Sequence, residues 1–169
     1  MDWKEKKAAM NGRPVPDPTP EEQARSMGEA LKEARLAAEA GEVPIGAVVV
    51  RDGEVVGRGH NLRESGKNAL YHAECLAIDD ACKALGGWRL WDCDLYVTLE
   101  PCPMCAGALI NARVRRVYFG AKDPKAGSAG SVTDLFALPY NHRPIAVGGI
   151  MEEECSEVLT SFFEQLRRS

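Results

Sequence analysis

The chain has 169 residues, 45% of them apolar and 27% charged, with a net charge of -4 and an isoelectric point near 5.5. This is the composition of one globular domain, and its acidity excludes a protein that holds nucleic acid by bulk electrostatic attraction. No stretch reaches the roughly 18 uncharged apolar residues of a membrane span, and the opening MDWKEKKAAM lacks the apolar run of a signal peptide. The expectation is a cytoplasmic protein without a membrane partner, whose six cysteines are thiols or metal ligands rather than a disulfide framework.

Residues 1–18, ending NGRPVPDP, are polar and proline-rich and read as a loosely attached tail, leaving 19–169 as the folded domain. TPEE supplies an N-cap Thr19, a helical Pro20 and a capping-box Glu22. Ala24, Met27, Leu31, Ala34 and Ala38 then recur at helical spacing as far as Gly41. Ile45 to Gly59 is two β-branched runs joined by Asp52-Gly53, the strongest short hairpin signal. After an irregular stretch, HAECLAIDDACKAL predicts a helix ended by Gly86-Gly87, with Cys75, Ile78, Cys82 and Leu85 inward.

CDLYVTL, PMCAGALINA and RRVYFG then read as strand, helix and strand. That is a crossover unit, whose strands run parallel. A glycine-rich loop, a helical turn near Asp134 to Leu138, a fifth strand IAVGGI and a last helix follow, the helix burying Val158, Leu159, Phe162, Phe163 and Leu166. The sum is an α/β fold: a mixed five-stranded sheet with helices on both faces.

Two stretches carry chemistry. NALYHAEC places His72, Glu74 and Cys75 within four positions, and TLEPCPMC places Cys102 and Cys105 at a strand-to-helix junction. Thiolates at a helix N-terminus are favoured by its partial positive charge, and two thiolates with a neutral imidazole make a neutral three-ligand zinc site. If water takes the fourth position the site is catalytic. Zinc then lowers the water's pKa from about 15.7 to about 7, and Glu74 is the nearby proton shuttle. Residues two apart on a helix face away from each other, so His72 and Glu74 share a pocket only at an irregular helix start. If Cys75 takes the fourth position, the site is a closed structural Cys₃His set in a binding module. A third reading makes Cys102 and Cys105 a redox pair. Spacing alone leaves all three open.

HAE followed by PCPMC is the zinc motif of the cytidine deaminase-like superfamily. With EVPIGAVVV, GHN, LYVTLEPCPMCAGALI, VYFGAKDPKAGSAGS, NHRP and FFEQLRR, the chain resembles the bacterial tRNA-specific adenosine deaminases from about Met27 to Arg168. The resemblance implies a three-layer cytidine deaminase-like fold and a Zn²⁺ held by His72, Cys102 and Cys105, with Glu74 as proton shuttle. It further implies a base bound by Asn61 and by the backbone at Ala73 and near Pro101. The implied reaction is hydrolytic conversion of wobble adenosine to inosine in a tRNA anticodon loop, with release of ammonia, by a homodimer. The loop from Lys122 to Ser131, with Asp123, would lie near the RNA backbone, and Arg116 and Arg167 are further candidate contacts.

One stretch departs from the family. Where it usually reads Asp-Pro-Thr-Ala before HAE, this chain has Asn68, Ala69, Leu70 and Tyr71. An aromatic ring at Tyr71 can stack on a nucleotide, narrow the pocket toward a free base or nucleoside such as guanine, cytosine or adenosine, or pack under the sheet or against the first helix.

Overall fold

The computed structural model describes residues 2, 4, 5 and 15–169. Most of the expected tail, residues 1, 3 and 6–14, lies outside them. Helix α1 spans Pro20–Glu39 and opens on the predicted capping box. The Thr19 hydroxyl accepts from the Glu22 amide at 3.2 Å, and the Glu22 carboxylate accepts from the Thr19 amide at 3.3 Å. Strands β1 (Gly46–Arg51) and β2 (Glu54–His60) form the hairpin, with Asp52 and Gly53 at φ 52° and 78°, as a type I′ turn requires. Helix α2 (Ala73–Leu85) ends at Gly86, in the left-handed conformation. Then come β3 (Cys93–Leu99), α3 (Pro103–Asn111), β4 (Arg116–Ala121), a short 3₁₀ turn (Leu135–Ala137), β5 (Ile145–Val147) and α4 (Glu152–Arg168).

The sheet order is β2-β1-β3-β4-β5. β1 runs antiparallel to both neighbours, and β3, β4 and β5 are parallel. Side chains alternate across it. Val49, Leu95, Val97 and Val117 meet α2 and α3 on one face, while Val48, Val50, Tyr96 and Tyr118 meet α1 and α4 on the other. The sheet is thus covered on both faces, as expected. The C-terminal end of β3 and the N-termini of α2 and α3 converge at one rim, the place where parallel α/β units bind ligands.

Two glycines set how closely α2 sits on the hairpin. A Cβ on Gly57 would lie 2.5 Å from the Ala77 carbonyl oxygen, and one on Gly59 would strike the Ala73 carbonyl oxygen at the first turn of α2. The small Ala73, Ala77 and Ala81 complete the flush contact. Gly59→Ala is therefore expected to destabilise the fold by about 1–3 kcal/mol, the usual penalty of overpacking. Urea unfolding would show a lower midpoint at unchanged m.

Three expectations about packing need correction. In α1 the buried stripe is Met27, Ala30, Leu31, Ala34 and Ala37, while Ala24 is exposed, because the helix rests on the sheet only after its first turn. In α4 only Cys155 is fully buried. Val158, Leu159 and Phe162 are half-buried, whereas Phe163 and Leu166 are 39% and 57% exposed. Cys155 sits over Gly120 of β4, and the later turns border a groove shared with Arg35 and Ala38 of α1. In α2 the innermost side chains are the alanines; Cys75, Ile78 and Cys82 flank them. The strand expected over IAVGGI also stops at Val147. The tail's last residues are tied down: the Val15 and Pro16 carbonyls accept from Arg115 and Arg116, each at 3.1 Å.

Candidate active site

His72 and Cys102 occupy the same position in two helices. Each is the N-cap, in extended conformation, and neither side chain makes a capping hydrogen bond. Both are thus free to turn toward the gap between the helices. Cys105 follows in the first turn of α3, fully buried. The His72 Nδ1 lies 3.5 Å from the Cys102 sulfur and 3.5 Å from the Cys105 sulfur. A tetrahedral zinc ion about 2.3 Å from sulfur and about 2.05 Å from nitrogen would separate those donors by about 3.6 Å. The three ligand atoms, all within 4.8 Å of one another, therefore fit such an ion. Hydrogen bonding from the Cys105 thiol, then from the backbone of Cys105, helped by His72, lowers the Cys102 thiol to about 5, and the shared proton is retained on Cys105.

Because His72 is an N-cap rather than a helical residue, Glu74 two positions on shares its pocket, as the irregular helix start predicted. Glu74 is 4% exposed, and burial pushes its carboxyl up to about 7. Such a group both takes and gives a proton near neutral pH. His72, Ala73, Glu74 and Cys102 line a cavity of about 210 Å³, together with Asn61, Asp123 and the apolar Val43, Ile45 and Leu99. This is smaller than the roughly 300–1,000 Å³ of clefts for drug-sized ligands and suits a single flat ring system. Asn61 holds the wall in place. Its Nδ2 donates to the Val43 carbonyl at 3.2 Å, and its Oδ1 accepts from the Arg63 amide at 3.1 Å.

A family model described as MafB19-like deaminase matches residues 21–167. The tRNA-specific adenosine deaminase of Bacillus subtilis (strain 168) is 55% identical over 143 residues, which are 84% of this chain and 89% of that one. The chain belongs to the bacterial tRNA-specific adenosine deaminases. Among solved structures, one from a study of A-to-I editing by tRNA:A34 deaminases at the wobble position of transfer RNA is 48% identical. It superposes with a TM-score of 0.77 over 80% of this chain and 99% of that one. Guanine deaminase from Bacillus subtilis is 37% identical, with a TM-score of 0.57 over 73% of this chain and 82% of that one.

The deaminase does not bring all the candidate residues to its cavity. Pro101 is buried between the cavity residues Glu100 and Cys102, and its carbonyl accepts from the Ser128 amide at 2.9 Å. Asp123 reaches the cavity, but its Oδ1 accepts from the Lys125 and Ala126 amides, so the carboxylate also shapes its own loop. Lys122 is exposed next to it. Arg167 is exposed in the last turn of α4, in the other helical layer. Arg116 is buried at the opposite end of the sheet, bound to Asp94 at 3.2 Å and paired with Asp17, so it offers nothing to a phosphate. Arg115 forks onto the same Asp94, and Arg113 donates to the Ile110 and Asn111 carbonyls at the end of α3. The basic run between Asn111 and Lys125 is thus largely spent inside the molecule.

The Tyr71 ring packs against Gly66 within its own loop, and Tyr71 is not among the residues that line the cavity. Cys75 also differs from the closed-site expectation. Its sulfur touches that of Cys105 at 3.9 Å but lies outside the ligand cluster.

Sequence reading missed two buried carboxylates that hold the cavity walls. Glu42 accepts from the Glu64 and Ser65 amides at 3.2 and 2.5 Å. Glu100, 2% exposed, accepts from the amides of Asp123, Ala129 and Ser131, each at 3.1 Å, and from the Ser131 hydroxyl. Although burial opposes it, these hydrogen bonds, led by those from Ser131, hold the Glu100 carboxyl below the usual carboxylate range. A depressed carboxyl contributes stability above its unfolded pKa of about 4.3 and loses it as pH falls toward the folded value. Glu100→Gln should cost about 1–3 kcal/mol at pH 7 and flatten the acid limb. Urea midpoints from pH 7 down to 3 should fall more steeply for the parent than for the variant.

Proposed function

We propose that this chain performs zinc-dependent hydrolytic deamination of the wobble adenosine of tRNA, giving inosine and ammonia, with His72, Cys102 and Cys105 as ligands and Glu74 as the catalytic acid–base. The observation that carries the reading is the placement of a buried, near-neutral carboxyl beside a His-Cys-Cys donor set on one wall of a base-sized cavity. Zinc held by these three residues would supply the acidity that makes a water molecule a nucleophile near pH 7. Glu74 takes the proton released from that water, delivers it to the ring nitrogen of the adenine, and passes the next to the departing amine. Asn61 and the backbone at Ala73 orient the base edge, and Val43, Ile45 and Leu99 exclude water from its faces.

A cavity of about 210 Å³ with its donor set on one wall suits a base turned out of its stack, which an anticodon loop supplies at low cost. Similarity supports the tRNA substrate, since the Bacillus subtilis tRNA-specific adenosine deaminase is 55% identical and the guanine deaminase 37%, and an enzyme acting on tRNA would meet it in the cytoplasm. We further propose a homodimer through the small, partly open face of α3 at Met104, Gly107 and Ala108.

The test is inosine formation in an anticodon stem-loop with adenosine at the wobble position, run beside ammonia release from free guanine, cytosine and adenosine. Inosine in the RNA supports the reading. No inosine with rapid turnover of a free base would overturn it in favour of a small-substrate deaminase.

A further inference from the structure

Cys75 and Cys105 are thirty residues apart in sequence, yet the first turns of α2 and α3 bring their sulfurs to 3.9 Å. Cys105 is fully buried, while Cys75 is partly exposed. Cys75 belongs neither to the ligand cluster nor to the cavity lining, so the proposed reaction gives it no task. A second thiol, reachable from outside and touching a ligand sulfur, is placed to compete with the metal for that sulfur.

We propose that Cys75 and Cys105 form a disulfide when the protein meets a hydroperoxide such as hydrogen peroxide, and that closing this bond releases the metal and switches the enzyme off reversibly. The sulfur of the partly exposed Cys75 attacks the O–O bond; it becomes a sulfenic acid as hydroxide leaves. The Cys105 sulfur then attacks the Cys75 sulfur. The S–S bond forms, the S–O bond breaks and a second hydroxide leaves. The Cys75 thiol proton turns one hydroxide into water and solvent protonates the other, so one thiol, one thiolate and one peroxide, with one proton from solvent, give one disulfide and two waters. Closing the bond takes the sulfurs from 3.9 Å to the roughly 2.05 Å of a disulfide. A disulfide sulfur is no longer a thiolate, and His72 with Cys102 alone is a poor site for zinc.

The metal half of this inference rests on the proposed zinc site, whereas the thiol pairing stands on the sulfur contact alone. The experiment treats the zinc-loaded full chain with excess hydrogen peroxide, follows zinc with a chromogenic chelator, and maps disulfides by mass spectrometry after blocking free thiols. A Cys75–Cys105 disulfide should appear with the same time course as zinc release, and dithiothreitol with added zinc should reverse both. In Cys75→Ala, deamination before oxidation should be unchanged and peroxide-driven zinc release about tenfold slower. Zinc release from Cys75→Ala at the parent rate, or a disulfide found only between Cys102 and Cys105, would overturn the proposal. A purified chain that binds no zinc would instead overturn the metal reading, and the disulfide map from the same sample still decides the pairing.

Discussion

Glu74→Gln is expected to lower kcat by about 10²–10⁴-fold, the usual contribution of a positioned general acid–base, while leaving zinc content and fold intact. Glutamine keeps the shape of the side chain and can accept the same hydrogen bond from its own backbone amide, so the buried first turn of α2 has no reason to shift. It cannot take a proton from water. Glu74 also stands outside the cluster formed by His72, Cys102 and Cys105, so its loss does not cost a ligand. Elemental analysis of the purified variant should find the parent's zinc stoichiometry, and single-turnover assays on a stem-loop should show the slow step in chemistry rather than binding. A variant within a few-fold of parent activity would remove Glu74 from the proton path, and one that loses its zinc would make Glu74 a ligand.

The parts of this molecule that were legible in the sequence are those whose causes are local. The capping box at Thr19, the Asp52-Gly53 turn and the left-handed Gly86 each depend on a few neighbouring residues, and each appears where the pattern placed it. The parallel β3-α3-β4 unit follows from strand, helix and strand in short succession. His72 and Glu74 could be assigned to one pocket because only an irregular helix start reconciles their spacing, and the N-cap geometry of His72 is that irregularity. What was not legible depends on partners distant in the chain. Arg115 and Arg116 look in sequence like a phosphate-binding run; Asp94, more than twenty residues earlier, binds both, and Asp17 pairs with Arg116 as well. Glu42 and Glu100 lie inside EVPIGAVVV and TLEPCPMC, yet their role was not legible there, because the backbone amides they hold lie in loops more than twenty residues away. For Tyr71 the sequence left stacking on a nucleotide, narrowing the pocket and packing within the fold all open; the partner its ring packs against, Gly66, lies in the irregular loop whose path no pattern predicts.

Cys105→Ser should abolish metal binding, and with it activity. Cys105 is the one candidate ligand with no exposure to solvent, and its sulfur faces both the His72 imidazole and Cys75. A serine oxygen is shorter-reaching than sulfur, and its hydroxyl stays protonated where a thiol that binds a metal gives up its proton. With His72 and Cys102 left, the donor set is too small for four-coordinate zinc. Stability should fall as well, since a ligand bound only by the native state stabilises it by about 4 kcal/mol when present at a thousandfold excess over its Kd. Thermal unfolding in the presence of zinc should therefore show a lower Tm for the variant than for the parent, and the gap should close when a chelator is added to both. Cys75→Ser is the companion measurement. If Cys75→Ser retains its zinc and Cys105→Ser does not, the ligand set is His72, Cys102 and Cys105. If Cys75→Ser loses zinc as completely, the site is closed by four protein ligands and the position reserved for water is gone.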